Sequence, residues 1–400
     1  MPEAQRTLAG GEAIAKTTGT AEKTFPSPGR GGRRNTILLW LCLLIAFNLA
    51  AIANPSIVTI HAPNQGRVPE VAFDKKGVLH LMYGKEQDGY YVQSRDGGKT
   101  FSAPVKVNQR AGTITVGAER GVKIAVGKDG TIHAVWLGHY QKGGGIWYTR
   151  STDGGKTFAP ERNVQDTNVG SDSPAIVADA SGNVLVFWLD ARIDKEADNP
   201  VAHPILLARS TDNGATFGRN EIVKYDFAGR ACACCRLEAR LHGDDVYIAF
   251  RTGYHNLRDF YLLKGRKTEN NFKATRISED NWRLEGCPMS GADFLVEKNG
   301  QVVVSWMSQG KVYWSQTTPT GFAPRIHAPA SEGTANHPLI VKHRKDVLLL
   351  WKQSGNLNWA RYTMDGKFTG EQGIVAPLPG KDKATAMVGA GEKIYVFVSE

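Results

Sequence analysis

Short apolar runs recur along the chain, each bounded by polar turn residues. Leu79–Tyr83, Ile132–Trp136, Val184–Trp188, Val246–Phe250, Val302–Trp306, Val347–Trp351 and Ile394–Val398 are five residues long and almost wholly apolar. That length and their β-branched and aromatic content predict strands buried on both faces. Each follows a more mixed strand candidate that starts near Val68, Val122, Pro174, Leu237, Gly291, Pro338 or Thr385. Seven such pairs can be counted, and no long amphipathic helical period competes with them.

A second pattern is superposed on the first. Ser94-Arg95-Asp96-Gly97-Gly98-Lys99-Thr100-Phe101 returns as Ser151-Thr152-Asp153-Gly154-Gly155-Lys156-Thr157-Phe158. It returns again as Ser210-Thr211-Asp212-Asn213-Gly214-Ala215-Thr216-Phe217. A turn signature at a period of nearly sixty residues indicates a repeat architecture. The Asp carboxylate can accept bonds from backbone N–H groups further along, the Gly pair permits positive φ, and the Thr hydroxyl can close the loop. The Phe then returns to the sheet as an apolar plug. Weaker copies stand at Ser315–Phe322 and Tyr362–Phe368.

These octapeptides resemble the Asp-box, or BNR repeat, of sialidase-like β-propellers. The resemblance covers nearly all of the chain after residue 55. It implies an all-β fold, a β-propeller of four-stranded antiparallel blades. Seven blades are favoured from the seven strand pairs, with the six-bladed sialidase ring as the alternative. The last pair has no outer strands before Glu400, and Ser56–His61 could supply one and close the ring.

Strand direction then sorts residues by face. The starts of the innermost strands (A) and the B–C loops share one face, and the Asp-boxes, in C–D turns, lie on the other. The Asp-boxes are therefore scaffold, and a ligand is expected over the axis on the A-start face. The longest B–C loop, Leu189–Pro204, is either a lid or a tolerated insertion. The tryptophans ending B strands (Trp136, Trp188, Trp306, Trp351) are expected in the core.

The amino-terminal region reads differently. Residues 1–35 are polar, end in a basic cluster and are expected to be disordered; residues 56–400 form the propeller. Between them, residues 36–53 are an apolar helix candidate that suits either a signal peptide or a retained membrane anchor. Both place the propeller outside the cytoplasm, in the periplasm or at the cell surface. The chain carries +10, and six basic and three acidic residues in 1–53 leave +7 for the remainder. That balance favours acidic partners, such as an anionic glycan, besides the membrane reached through residues 36–53. No nucleic-acid motif occurs, and a monomer without cofactor or resident metal is expected.

Candidate chemistry gathers at the A-start phase. Arg67-Val68-Pro69 resembles the Arg-Ile-Pro motif that opens the sialidase domain, where the Arg is one of three that hold the substrate carboxylate. Arg120, Arg236 and Arg251 are further guanidiniums on the same face, with Asp172 and His337 beside them as substrate-binding candidates. The resemblance implies an exo-sialidase-like glycoside hydrolase. Asp88 is the acid/base candidate, Glu238 the activating carboxylate, and Tyr254 the nucleophile candidate. The family places its Tyr late in the ring, whereas Tyr254 belongs to the fourth unit and Tyr395 falls inside a B strand. A non-catalytic binding or assembly propeller is the alternative.

Cys232, Cys234, Cys235 and Cys287 form a second cluster that the sialidase motifs do not include. An even count in an exported domain favours two disulfides, and Cys235 and Cys287 both lie at A-strand starts of adjacent units, where a bridge is easy. A soft-metal thiolate site with His337 and a redox thiol pair remain open as alternatives.

Overall fold

The computed structural model describes residues 56–193, 202–227 and 229–400. Residues 1–35 and 36–53, and with them the expected disordered segment and apolar helix, lie outside the described residues. Among the described residues no helix is long and apolar enough to cross a membrane.

Seven small sheets form a ring, a seven-bladed β-propeller. Blade 1 runs from Arg67–Phe73 at the axis through Leu79–Lys85 and Asp88–Ser94 to Val105–Lys106 at the rim. Blades 2 to 6 repeat this with innermost strands Lys123–Val126, Ser171–Ala178, Glu238–His242, Asp293–Val296 and Asn336–His343. Blade 7 has three strands. Thr385–Val388 and Ile394–Val398 come from the end of the described chain, and Ile57–His61 from its beginning pairs parallel to Ile394–Val398. The ring is thus closed by main-chain bonds between distant segments, which leaves no long open edge.

The apolar runs lie flat between neighbours because each B strand packs on both faces. In blade 6, Val347, Leu349 and Trp351 join side chains of blade 5, whereas Leu348 and Leu350 join blade 7. Seven hydrophobic clusters result, one per blade interface, and the seventh packs Ile60, Tyr395 and Phe397 on Leu79, Leu81 and Tyr83. Trp136, Trp188 and Trp306 are fully buried and Trp351 nearly so, as core fillers.

The octapeptide turns form as the residue chemistry requires. Asp153 accepts from the Thr157 amide at 3.0 Å and the Thr157 hydroxyl at 2.6 Å, and Ser151 Oγ donates to it at 2.7 Å. Asp96 and Asp212 repeat the arrangement. Phe158 packs edge-on against Tyr91 of the preceding blade, and Phe217 likewise against Tyr148. The turns are therefore inter-blade fasteners as well as hairpins.

Candidate ligand site over the propeller axis

The A strands begin with a shared backbone device. Val68, Ala118, Ser173, Met289 and His337 all hold φ between 46° and 54°. Blades 1, 3 and 6 show a register break at this point, between Arg67 and Glu70, Asp172 and Ala175, and Asn336 and Leu339. Proline follows Val68, Ser173 and His337 and denies each the right-handed helical region. Left-handed backbone is costly for a β-branched residue such as Val68, on the order of 1–3 kcal/mol. In blades 1, 3 and 6 the bulge re-aims the flanking side chains, among them Arg67, Asp172 and His337, which meet partners from other blades at the mouth.

Three charge groups occupy that mouth. Arg67 donates from Nε and Nη2 to Asp382 at 2.8 and 2.7 Å, and Ser399 Oγ donates to the same carboxylate at 3.0 Å. Arg120 grips Asp172 through two bonds, one of them 2.9 Å from Nε. Glu119 lies deeper, 6 % exposed, and reaches across the axis. It accepts from the Gly291 amide at 2.9 Å, faces His337 Nδ1 at 2.9 Å, and sits 3.5 Å from Arg236 Nε. Burial pushes the Glu119 carboxyl up, but Arg236 and His337 outweigh it and hold it well below the usual range.

Below the mouth runs an axial channel of about 590 Å3, lined by A strands of all seven blades. Glu70 bridges Lys123 and Lys383, the latter at 2.6 Å. Burial lowers the Lys383 amine to about 8 against the pull of Glu70. Glu238 pairs with both Arg236 and Arg240, and Arg240 reaches Asp293 at 3.3 Å. The Lys123–Glu70–Lys383 and Arg240–Asp293 pairs link blade to blade, and each of these cations lies against a carboxylate, some of them shared.

The structure thus brings together Arg120 with Asp172, and Arg236 with His337 through Glu119, while Arg67 is pinned to Asp382. Glu238 joins Arg236 from the channel side, and the remaining candidates, Arg251, Asp88 and Tyr254, stand apart. Arg251 is 1 % exposed and donates to the carbonyls of Arg258, Ser290 and Met307. It offers no surface to a ligand. Asp88 lies at the tight B–C turn of blade 1, salt-bridged to Lys106 at 2.8 Å and accepting from Asn108 and Gly112. Burial raises its carboxyl, but these partners leave it below the ordinary range. An acid held ionised has no proton to donate at neutral pH. Tyr254 sits on the exposed B–C loop of blade 4 against His255, and Glu238 lies in the channel among arginines.

The cysteines form one disulfide, Cys234–Cys287, between blades 4 and 5; Cys232 and Cys235 are buried thiols. The expectation of two disulfides is corrected to this extent: Cys234, and not Cys235, bonds Cys287. Two site residues were missed, Glu119 as the hub and Asp382 as the partner of Arg67. Asp382-Lys383 precedes Thr385 as Glu119-Arg120 precedes Val122, so the repeat phase carried that signal. Residues 194–201 of the long B–C loop lie outside the described residues.

No protein-family model matches the sequence, and no curated protein does. Solved structures do match in shape. An α-L-arabinofuranosidase of Fusarium graminearum, bound to an iminosugar inhibitor, superposes with a TM-score of 0.51 at 14 % identity, over 76 % of this chain and 95 % of that one. A polysaccharide lyase, an ulvan lyase bound to a GlcA–Rha3S unit, gives 0.53 at 12 % identity, over 84 % and 87 %. Virginiamycin B lyase from Staphylococcus aureus gives 0.53 at 11 % identity, over 85 % and 94 %. At these identities the likeness is one of fold.

Proposed function

We propose that this chain is an exported propeller that binds an acidic glycan over the A-start face without hydrolysing it. The observation that carries the reading is the state of Arg67. Its Nε and Nη2 are fixed by Asp382, its side chain is 46 % exposed, and among the described residues Nη1 has no partner. A guanidinium held this way is a preorganised cation that can still accept a ligand carboxylate or sulfate. The +7 balance of residues 54–400 favours the same ligand class.

Cleavage fits the site less well. Arg120 and Arg236 are already neutralised, so a sialidase-like clamp of three free arginines is not available, and Asp88 is held as the carboxylate. Two of the propellers it resembles in shape are named as an arabinofuranosidase and an ulvan lyase, which supports a sugar ligand as a class. The apolar segment 36–53 and the Cys234–Cys287 disulfide support a location outside the cytoplasm.

The test is calorimetric titration of the full chain with sialyllactose and an oligogalacturonide, with lactose as neutral control. Acidic sugars bind and lactose does not, and Arg67→Ala weakens binding about tenfold, which is about 1.4 kcal/mol. A fluorogenic sialoside remains intact. Equal binding of lactose, or sialoside turnover that disappears in Arg67→Ala, defeats the reading.

A further inference from the structure

Four sulfurs converge beside the channel mouth, and the ligand face makes no use of them. The Cys234–Cys287 disulfide is partly exposed. Cys235 Sγ stands 3.8 Å from Cys287 Sγ, and the Sγ atoms of Cys232, Cys235 and Cys287 all lie within 4.8 Å of one another. The two thiols are 1 % and 2 % exposed. A bonded pair at the surface therefore stands directly in front of an unbonded pair in the interior.

The surroundings are those of a thiolate. Arg251 and Arg258 are 1 % and 0 % exposed. Among the described residues Arg251 donates to main-chain carbonyls, and Arg258 to the Leu284 carbonyl and Asn256 Oδ1. Among the described residues neither has a carboxylate within ion-pair distance. Two buried cations without counter-charge are expensive. Burial lowers the Arg251 guanidinium, and the Cys235 and Cys232 sulfurs, followed by Glu119, pull it the other way. Cys235 beside it, with Arg258 and Arg251, lowers the Cys232 thiol, while Cys232 and burial raise Cys235. A proton shared by the pair therefore favours Cys235, and Cys232 is the sulfur that ionises first. Inert core thiols need no such setting.

We infer that the four cysteines are a thiol–disulfide exchange centre, in which the exposed pair Cys234–Cys287 trades its bond with the buried pair Cys232/Cys235 and with an external protein dithiol or disulfide. The shared proton moves to Cys232, and the Cys235 thiolate attacks Cys287 Sγ. The Cys235–Cys287 bond forms, the Cys234–Cys287 bond breaks, and Cys234 leaves as thiolate. The proton passes from Cys232 to Cys234, and the Cys232 thiolate attacks Cys235 Sγ. The Cys232–Cys235 bond forms and Cys287 leaves as thiolate. No net oxidation has occurred, and the dithiol now faces solvent. An external disulfide then re-forms Cys234–Cys287 by two exchanges and is itself reduced to two thiols. Run in reverse, the same sequence oxidises an external dithiol.

The full chain is equilibrated in glutathione buffers of graded ratio, quenched with acid, alkylated and mapped by peptide mass spectrometry. Cys234–Cys287, Cys235–Cys287 and Cys232–Cys235 bonds all appear in exchange. Cys235→Ser retains Cys234–Cys287 alone at every ratio. Cys234→Ser, which keeps the attacking pair, shows Cys235–Cys287 and Cys232–Cys235 bonds in exchange. A wild-type chain that holds only Cys234–Cys287 at every ratio overturns the inference. So does a Cys234→Ser chain that keeps Cys235 and Cys287 as thiols, or a purified protein with four thiols around a bound metal.

Discussion

Glu119 of blade 2 and His337 of blade 6 are 218 positions apart in the chain and 2.9 Å apart across the mouth of the axial channel. With Arg236 and the Gly291 amide they tie four blades to one carboxylate. The contact exists only because the ring closes, so it reports closure directly.

Glu119→Gln removes the charge and leaves Arg236, 4 % exposed, with Glu238 as its remaining counter-ion. Breaking a buried pair in this way costs about 3–5 kcal/mol, read as a lower urea midpoint at pH 7. Because the folded carboxyl lies below its unfolded range, its contribution is complete above the unfolded pKa of about 4.3 and is lost as pH falls further. The variant therefore loses less stability than wild type between pH 5 and pH 3. Parallel acid curves for the two proteins contradict this.

Buried His133 titrates in a higher window. Burial, with Arg150 adding to it, lowers the imidazole to about 4. The folded state prefers the neutral ring, so its contribution is present above the unfolded value of about 6.5 and is lost as pH falls through 4. Stability attributable to His133 falls by about 1.4 kcal/mol per pH unit across that window. Chemical denaturation of His133→Gln between pH 7 and pH 4 should show a shallower slope by that amount. An unchanged slope removes His133 as the titrating group.

Gly214 and Gly130 separate backbone conformation from crowding. Both have positive φ, 75° and 72°. A Cβ at Gly214 meets the Tyr148 hydroxyl at 1.8 Å, whereas at Gly130 nothing lies within 4 Å. Gly130→Ala carries the conformational cost alone, about 1–2 kcal/mol. Gly214→Ala carries that cost and also displaces Tyr148, whose hydroxyl bonds His133 at 2.7 Å. Thermal melts should rank Gly214→Ala well below Gly130→Ala; equal melting temperatures refute an inter-blade role for the turn.

Much of the ring was legible because its signals are local. The alternation within Val347–Trp351 needs only that successive side chains point to opposite faces, and two buried faces make the run wholly apolar. Asp153 and Thr157 close their turn within five residues, so composition at fixed offsets announced it. Trp188 at the end of a B strand was placed in the core by the same phase reasoning.

The site was legible only in part. Phase alone placed Arg67, Arg120, Arg236 and His337 at one end of the ring, yet it could not distribute their partners. Arg67 takes Asp382 and Arg120 takes Asp172, while Glu119 passes over its neighbours to reach Arg236 and His337. Those choices depend on bulges at Val68, Ser173 and His337 that re-aim side chains by left-handed backbone, to which a two-residue period is blind. Likewise Cys234 bonds Cys287 while Cys235 stands 3.8 Å from the same sulfur, a difference of position that residue spacing does not carry.

The sequence by itself determined that short apolar strands would recur in pairs and be fastened by Ser-x-Asp turns, since propensity, period and turn chemistry act over a few residues. Only the tertiary structure decided which guanidinium is satisfied, which carboxyl stays ionised and which sulfurs touch. Those outcomes are set by burial and by distances of a few ångströms between blades, and Coulomb and desolvation energies depend on position in space, not on position in the chain.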